Sequence, residues 1–476
     1  MSKLYVFGIG GTGARVLRSL SMLLASGVHL GSGIEEVVPI LIDPDAGNAD
    51  LTRTTYFLSL YQSIQLELNR PTKNEFFKTK ITSITGNNIL SINNTSNCSF
   101  AQYIGLDTMD NTEKGLVKML FSKENLDADM KVGFKGNPNI GSVVLNQIIE
   151  SQAFKSFEAS FSQGDRIFIV NSIFGGTGAS GFPLLLKILR EITVQQAQKF
   201  AMLNDALIGA VTVLPYFSIK PDPNSSINSS TFISKAKSAL AYYEENIFNN
   251  GQIDALYFIG DDKFSKPYDN TDGGPGQQNK AHIVEFLAAT SVVDFTYNKN
   301  INHQQAKSIC QEIGIKNDSN PVTFVDFYDK TFSLLFDPLV SFTLMANGFH
   351  YKMKDISSPN VEANRNRFSS IYQQDFMRNL TEFLDGANGY RDWLGEMETN
   401  SRSLKLFDLA CPEKPFDIVQ GIIPKKDGIF AKKNYNKYIH ELNDAIRRCS
   451  VTKPEDPNTF MEMFYLAMKK ITQEKF

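Results

Sequence analysis

Two stretches decide the fold, LYVFGIGGTGAR at Leu4–Arg15 and RIFIVNSIFGGTGASG at Arg166–Gly181. Each runs from an apolar strand through a glycine turn into an apolar helix. Gly8, Gly10 and Gly13 satisfy G-x-G-x-x-G. Glycine permits the tight turn and lets backbone N–H groups approach phosphate oxygens, and the helix N-terminus adds a favourable dipole. One such loop fits a dinucleotide turn, or a turn that binds nothing. A second loop of the same kind calls for phosphates gripped from both sides. In a doubly wound sheet of order 3-2-1-4-5-6, the first and fourth strands flank the crevice. With Arg166–Asn171 as the fourth strand, both loops open there, and Thr12 and Thr177 add hydroxyl donors.

Outward from these loops, strands and helices alternate. Val37–Asp43 (VVPILID), Ala206–Leu214 and Ile253–Ile259 are apolar along their length, as strands buried on both faces are. Ala14–Ser26, Gly178–Ile192 and Thr231–Asn246 carry apolar residues at helical spacing, as does the long segment Asn279–Thr296. The expected fold class is α/β: a doubly wound parallel sheet, a long central helix and a divergent, mostly helical C-terminal region. Residues 1–278 form the sheet domain, 279–300 the central helix and 301–476 the C-terminal domain. Within the last, Phe324–Gly348, Ser358–Ala387 and Tyr435–Arg448 read as helical. The polar stretch Asp45–Asp129 yields no clear order.

The 476 residues are 42% hydrophobic with a net charge of −3, which supplies a core and no electrostatic pull toward nucleic acid. Cys98, Cys310, Cys411 and Cys449 are widely spaced, with no zinc-ligand pattern, and read as free thiols. Val16–Leu30 is interrupted by Arg18 and His29, so no direct membrane insertion is expected. The start runs straight into a strand without a signal peptide, and the expected location is cytoplasmic. No Ser/His/Asp set is visible, and His282 near the start of the long helix is a candidate ligand contact.

The motifs, in their order, resemble the tubulin/FtsZ superfamily, in the manner of a divergent prokaryotic member. GGTG within FGGTGASG is similar to its phosphate loop, and LYVFGIGGTGARV to its first strand and loop. LIDPDAGNADL (Leu41–Leu51) resembles the second strand with its Asp-bearing loop. GFKGNPNIGSVV (Gly133–Val144) resembles the loop around the terminal phosphate. TVLPYF (Thr212–Phe217) resembles the strand leading to the sugar loop, and IDALYFIGDDK (Ile253–Lys263) the sixth strand. The resemblance covers about the first three-fifths of the chain.

That resemblance implies GTP or GDP with Mg²⁺. Gly10, Gly11, Thr12 and Gly13 would cradle phosphates, and Asp45 would stand by the terminal phosphate and its metal. Gly136, Asn137 and Pro138 would close on that phosphate, while Gly175, Gly176, Thr177 and Gly178 would hold the other two. Glu244 or Glu245 would reach the ribose, with a solvated helix face as the equal alternative, and Asn279 the base. It also implies a homo-oligomer or filament, and GTP hydrolysis at a subunit interface. An unidentified protein partner is expected besides.

Three departures bear on these expectations. Phe174 stands where a small residue is expected, and Ser180 where a glycine is. Asn298–Asn320 lacks the Asn-x-Asp-x-x-Asp pattern that follows the central helix in FtsZ, leaving Glu312, Asp318 and Asp294 as candidate acids. The C-terminal region reads as helical rather than mixed. Catalytic residues are therefore unassigned. Two alternatives stand beside a GTP-binding protein. One is an NAD(P)-dependent oxidoreductase with Asp43 on the ribose, and the other a tubulin-like scaffold without turnover.

Overall fold

The computed structural model describes all residues except 1, 32, 85, 87, 91, 93, 94, 96, 97, 131–133, 135, 191–201, 204, 221–228, 263–266, 268–273, 299–307, 353–368, 373, 411, 412, 427, 429–431, 433, 451, 452 and 454.

Among the described residues, eight strands form one sheet. They are β1 (Ser2–Ile9), β2 (Ile34–Ile42), β3 (Lys80–Ile81), β4 (Ile89–Leu90), β5 (Arg166–Ser172), β6 (Leu207–Val213), β7 (Ala255–Ile259) and β8 (Ile309–Cys310). The order is β3-β2-β1-β5-β6-β7-β8, with β4 also on β2, and every pairing is parallel. From Leu4 to Ile9 and from Ile167 to Ser172 every residue is buried, which is why these strands read as unbroken apolar runs.

The helices are α1 (Gly10–Ala25), α2 (Ala49–Glu67), α3 (Phe100–Tyr103), α4 (Asn111–Leu120), α5 (Lys123–Leu126), α6 (Pro138–Leu145), α7 (Gln152–Ser160) and α8 (Gly176–Arg190). They continue as α9 (Ser229–Tyr243), α10 (Ile283–Tyr297), α11 (Asp329–Lys352), α12 (Ser369–Tyr372), α13 (Asp375–Asp385), α14 (Tyr390–Glu398), α15 (Asn434–Ala445) and α16 (Pro457–Lys475). Strand order reverses at β1, so right-handed crossovers put α1 and α8 on opposite faces. α1 packs on α2 and α10, and α8 packs on α6.

Several boundaries differ from the sequence expectation for physical reasons. α1 and α8 begin at Gly10 and Gly176, because the glycines themselves form the first helical turns. Gly13 and Gly8 face each other so closely that a Cβ on Gly13 would lie 2.5 Å from the Gly8 carbonyl carbon. The central helix starts at Ile283 rather than Asn279. His282 caps it, its Nδ1 accepting the Val284 amide while its own amide donates to Glu285. α9 ends at Tyr243, and a π-turn carries the chain from Glu244 to Phe248.

The polar stretch after Asp45 resolves into α2, two short strands and small capped helices. Beyond the sheet, the described C-terminal residues are mostly helical, with isolated bridges such as Phe407 to Val419. α11 packs along α16, and α15 also lies on α16. Asp329–Tyr351 is long and apolar enough to cross a membrane by length and composition, but 72% of its apolar window is buried inside the protein. The C-terminal region is fastened to the sheet domain. Arg18 meets Glu396 at 2.9 Å, the Trp393 indole donates to Ser19 at 3.2 Å, and Phe57 packs edge-on against Phe383.

Candidate nucleotide site

The start of α1 at the crevice carries donors without a side-chain cap. Ile9, ahead of α1, offers no side-chain hydrogen bond, and neither α1 nor α8 has an acid in its first turn. The first amides of a helix lack partners within it and sit at the positive end of its dipole. Both helices thus present N–H groups where β1 and β5 end side by side.

The two glycine loops touch. Gly10, held at φ +73°, is so placed that a Cβ there would lie 3.5 Å from the Thr177 Cβ and 3.7 Å from the Gly178 nitrogen. The third loop closes on the second. A Cβ on Gly176 would lie 3.0 Å from the Gly136 nitrogen and 3.1 Å from that of Asn137. Gly10, Gly11, Thr12, Gly13, Gly136, Asn137, Gly175, Gly176, Thr177 and Gly178 are therefore gathered at one end of the sheet. The two departures in the second loop have roles there. Phe174 is buried among the rings of Tyr216, Phe217 and Phe232, which ties the loop to the segment after β6. Ser180 turns its hydroxyl back onto the Gly176 carbonyl at 2.7 Å.

Asp45 lies at the same end, buried, with its Oδ2 accepting the Gly274 amide at 2.6 Å and its Oδ1 the Gly47 amide at 3.1 Å. Among the described residues no cluster of three or more His, Cys, Asp or Glu side chains could hold a metal ion. A divalent ion at Asp45 would take its other ligands from phosphate and water. Asp43 accepts the Asp45 amide at 3.0 Å, and burial, with Asp45 and Asp50 close by, pushes its carboxyl up to about 7.

Asn279 reaches this end through α2. Its amide and side chain donate to Asp50 at 3.2 and 3.4 Å, and its carbonyl accepts from Arg53 at 2.6 Å. Asp50 in turn borders Gly11. Glu244 is not brought to the loops. It is exposed in the π-turn after α9, near the far end of α8, where Arg190 donates to the Gln252 carbonyl. α8 runs 15 residues from Gly176 to Arg190, or about 20 Å, so Glu244 and Glu245 stand well away from the crevice.

The candidate catalytic acids are spread out. Asp294 is buried, accepting from the Tyr257 hydroxyl at 2.8 Å and paired with Lys330 at 2.7 Å. Asp318 pairs with Arg402 at 2.6 Å, and Glu312 is exposed. Much of the loop after the central helix, residues 299–307, lies outside the described residues, as do His303 and Cys411. His282 is fully buried against Tyr216, and desolvation lowers its pKa to about 4, so the ring is neutral near pH 7.

Sequence reasoning missed a buried charge network beneath the first loop. Arg15 Nε meets Glu285 at 2.5 Å, Nη1 meets Asp50 at 2.6 Å, and Nη2 donates to Tyr216 at 2.8 Å and Thr12 at 3.3 Å. The Tyr216 hydroxyl also donates to Glu285 at 2.5 Å. Burial works against the guanidinium charge, but Glu285, Tyr216 and Asp50 outweigh it and hold the Arg15 pKa well above its ordinary value. The available signal was a charge on α1, otherwise rich in apolar and small residues.

No family model matches the chain, and no curated protein matches it. Similar solved structures include two tubulin/FtsZ-family proteins. CetZ2 from Haloferax volcanii, in a GTPγS-bound protofilament, has a TM-score of 0.31 and 14% identity over 62% of this chain and 58% of that one. CetZ from Methanosaeta thermophila strain DSM 6194 has a TM-score of 0.29 and 15% identity over 62% of this chain and 51% of that one. The match thus spans little more than half the length of either. The chain's own strand order and its three converging loops define a doubly wound parallel α/β fold.

Proposed function

We propose that this protein binds a guanine nucleoside triphosphate, with Mg²⁺, between the first turns of α1 and α8, and that binding supports self-association. One observation carries the reading. Two helix N-termini, neither with an acid in its first turn, and the Gly136–Asn137 loop meet at the ends of β1 and β5, where the strand order reverses. A dinucleotide needs one such loop; a triphosphate uses all three. The choice of guanine comes from the family resemblance. The oxidoreductase alternative needs an ionised carboxylate open to ribose at the end of β2, whereas Asp43 is buried and already accepts the Asp45 amide. The separated acids after the central helix favour slow hydrolysis, or hydrolysis completed by a second copy.

The test begins with the nucleotide that co-purifies, identified by chromatography, followed by titration calorimetry with GTP, GDP, ATP and NAD⁺. GTP binding that Gly176→Asp abolishes is the expected result, because that change puts a charged side chain at the junction of the loops. NAD⁺ binding without GTP binding would overturn the proposal. Light scattering with and without GTP then reads self-association.

A further inference from the structure

Lys235 stands in the second turn of α9, half-buried beside the third loop. Its Nζ donates to the Gly136 carbonyl at 2.7 Å. The Gly136 amide, on the other side of that residue, faces Gly176. Among the described residues no carboxylate pairs with this ammonium, and burial alone lowers its pKa. An ammonium has three donors, and one is used here.

The surroundings make the charge unusual. Lys235 borders a cavity of about 400 Å³ that the third loop lines through Phe134, Gly136 and Asn137. It also borders a larger one of about 830 Å³, lined by Ser180, Ser234 and Ser238, where no carboxylate is found. Glu124 edges the smaller cavity but bonds to Ser122. A partly desolvated cation without a counter-charge is costly unless something anionic approaches.

Resting on the nucleotide reading above, we infer that Lys235 is the residue that distinguishes a nucleoside triphosphate from a diphosphate. Its ammonium holds the Gly136–Asn137 loop by the carbonyl and supplies the positive charge beside the place where a terminal phosphate would meet that loop's amides. A diphosphate, ending short of the loop, does not draw on this charge. The lysine acts on the outer phosphate alone, while the glycine loops of α1 and α8 grip both nucleotides.

The experiment measures affinity for fluorescent GTPγS and GDP analogues in the wild type, Lys235→Gln and Lys235→Arg, at low and high salt. Gln keeps a donor for the Gly136 carbonyl but loses the charge; Arg keeps both. Lys235→Gln should lose about tenfold or more in GTPγS affinity, since a charge-assisted contact to phosphate is among the stronger hydrogen bonds. Its GDP affinity should stay within about threefold of wild type, and Lys235→Arg should restore the preference. The GTPγS-to-GDP ratio should fall with salt in the wild type and respond less in Lys235→Gln, a readout that a merely structural role of the side chain does not move. An unchanged ratio in Lys235→Gln, or equal losses for both nucleotides, overturns the assignment. Wild-type protein that binds neither nucleotide overturns the nucleotide reading itself, and this inference with it.

Discussion

Replacing Arg15 by Met keeps most of the side-chain volume and removes the charge at the centre of the buried network. Asp50 and Glu285 are then left as buried carboxylates, 0% and 1% exposed. Breaking a buried ion pair by removing one partner costs about 3–5 kcal/mol. The lower end applies here, because each acid keeps other partners. Asp50 retains Arg53 at 2.9 Å, and Glu285 retains the Tyr216 hydroxyl and the His282 amide. The expected loss is about 3 kcal/mol. Adding Glu285→Gln to Arg15→Met removes the stranded charge while keeping an acceptor for Tyr216, and should return about 1–2 kcal/mol. Urea denaturation followed by circular dichroism measures both, with the slope checked for constancy across variants. A loss under about 1 kcal/mol, or a double mutant whose loss is the simple sum of the two single losses, would refute the view that these charges form one coupled unit.

The glycines should separate into structural and ligand-facing classes. Gly13→Ala drives a Cβ to 2.5 Å from the Gly8 backbone and should cost about 1–3 kcal/mol or more. Gly11→Ala, whose nearest neighbours lie 3.6 Å away, should melt near wild type. Thermal melts of the two variants check this, and equal melting temperatures would speak against the close α1–β1 approach. Asp43→Asn tests the buried carboxyl. A carboxylic acid with a raised folded pKa imposes no penalty below its unfolded value, near 3.8, and a growing one as pH rises toward about 7. The variant should therefore gain stability over wild type across that window, on the order of 4 kcal/mol by pH 8, and match it near pH 3. Denaturation midpoints at several pH values read the difference, and a gap that does not vary with pH would contradict it.

What the sequence made legible, and what it did not, divides along the line between backbone and side chain. β1, β5 and β6 were readable because a strand buried on both faces must be apolar throughout, and Leu4–Ile9 meets that condition without its neighbours being known. The glycine loops were readable because backbone geometry demands glycine locally: Gly10 at φ +73°, Gly13 against Gly8. The start of the central helix was misplaced by four residues, because an unremarkable histidine, His282, supplies the cap in place of the usual Ser, Thr, Asp or Asn. Glu244 was assigned by its order along the chain, and order does not fix which end of a helix a residue occupies. The Arg15 network was hidden for a different reason. Its partners lie 35, 201 and 270 residues away, and only the fold brings them together. Yet the chain does mark its presence. Arg15 and Arg18 lie on a helix in which only Gly11 escapes full burial. A charge there requires a counter-charge from another element, because an unpaired one is too costly to leave dry. The acids that answer are Glu285, set in the apolar run IVEFLAATSVV, and Glu396 on α14. α1 is thereby bound at its second turn to the central helix and at its third to the C-terminal region. In a closely packed interior, a displacement at the N-terminal end of this helix has no solvent to yield into and must pass to those partners.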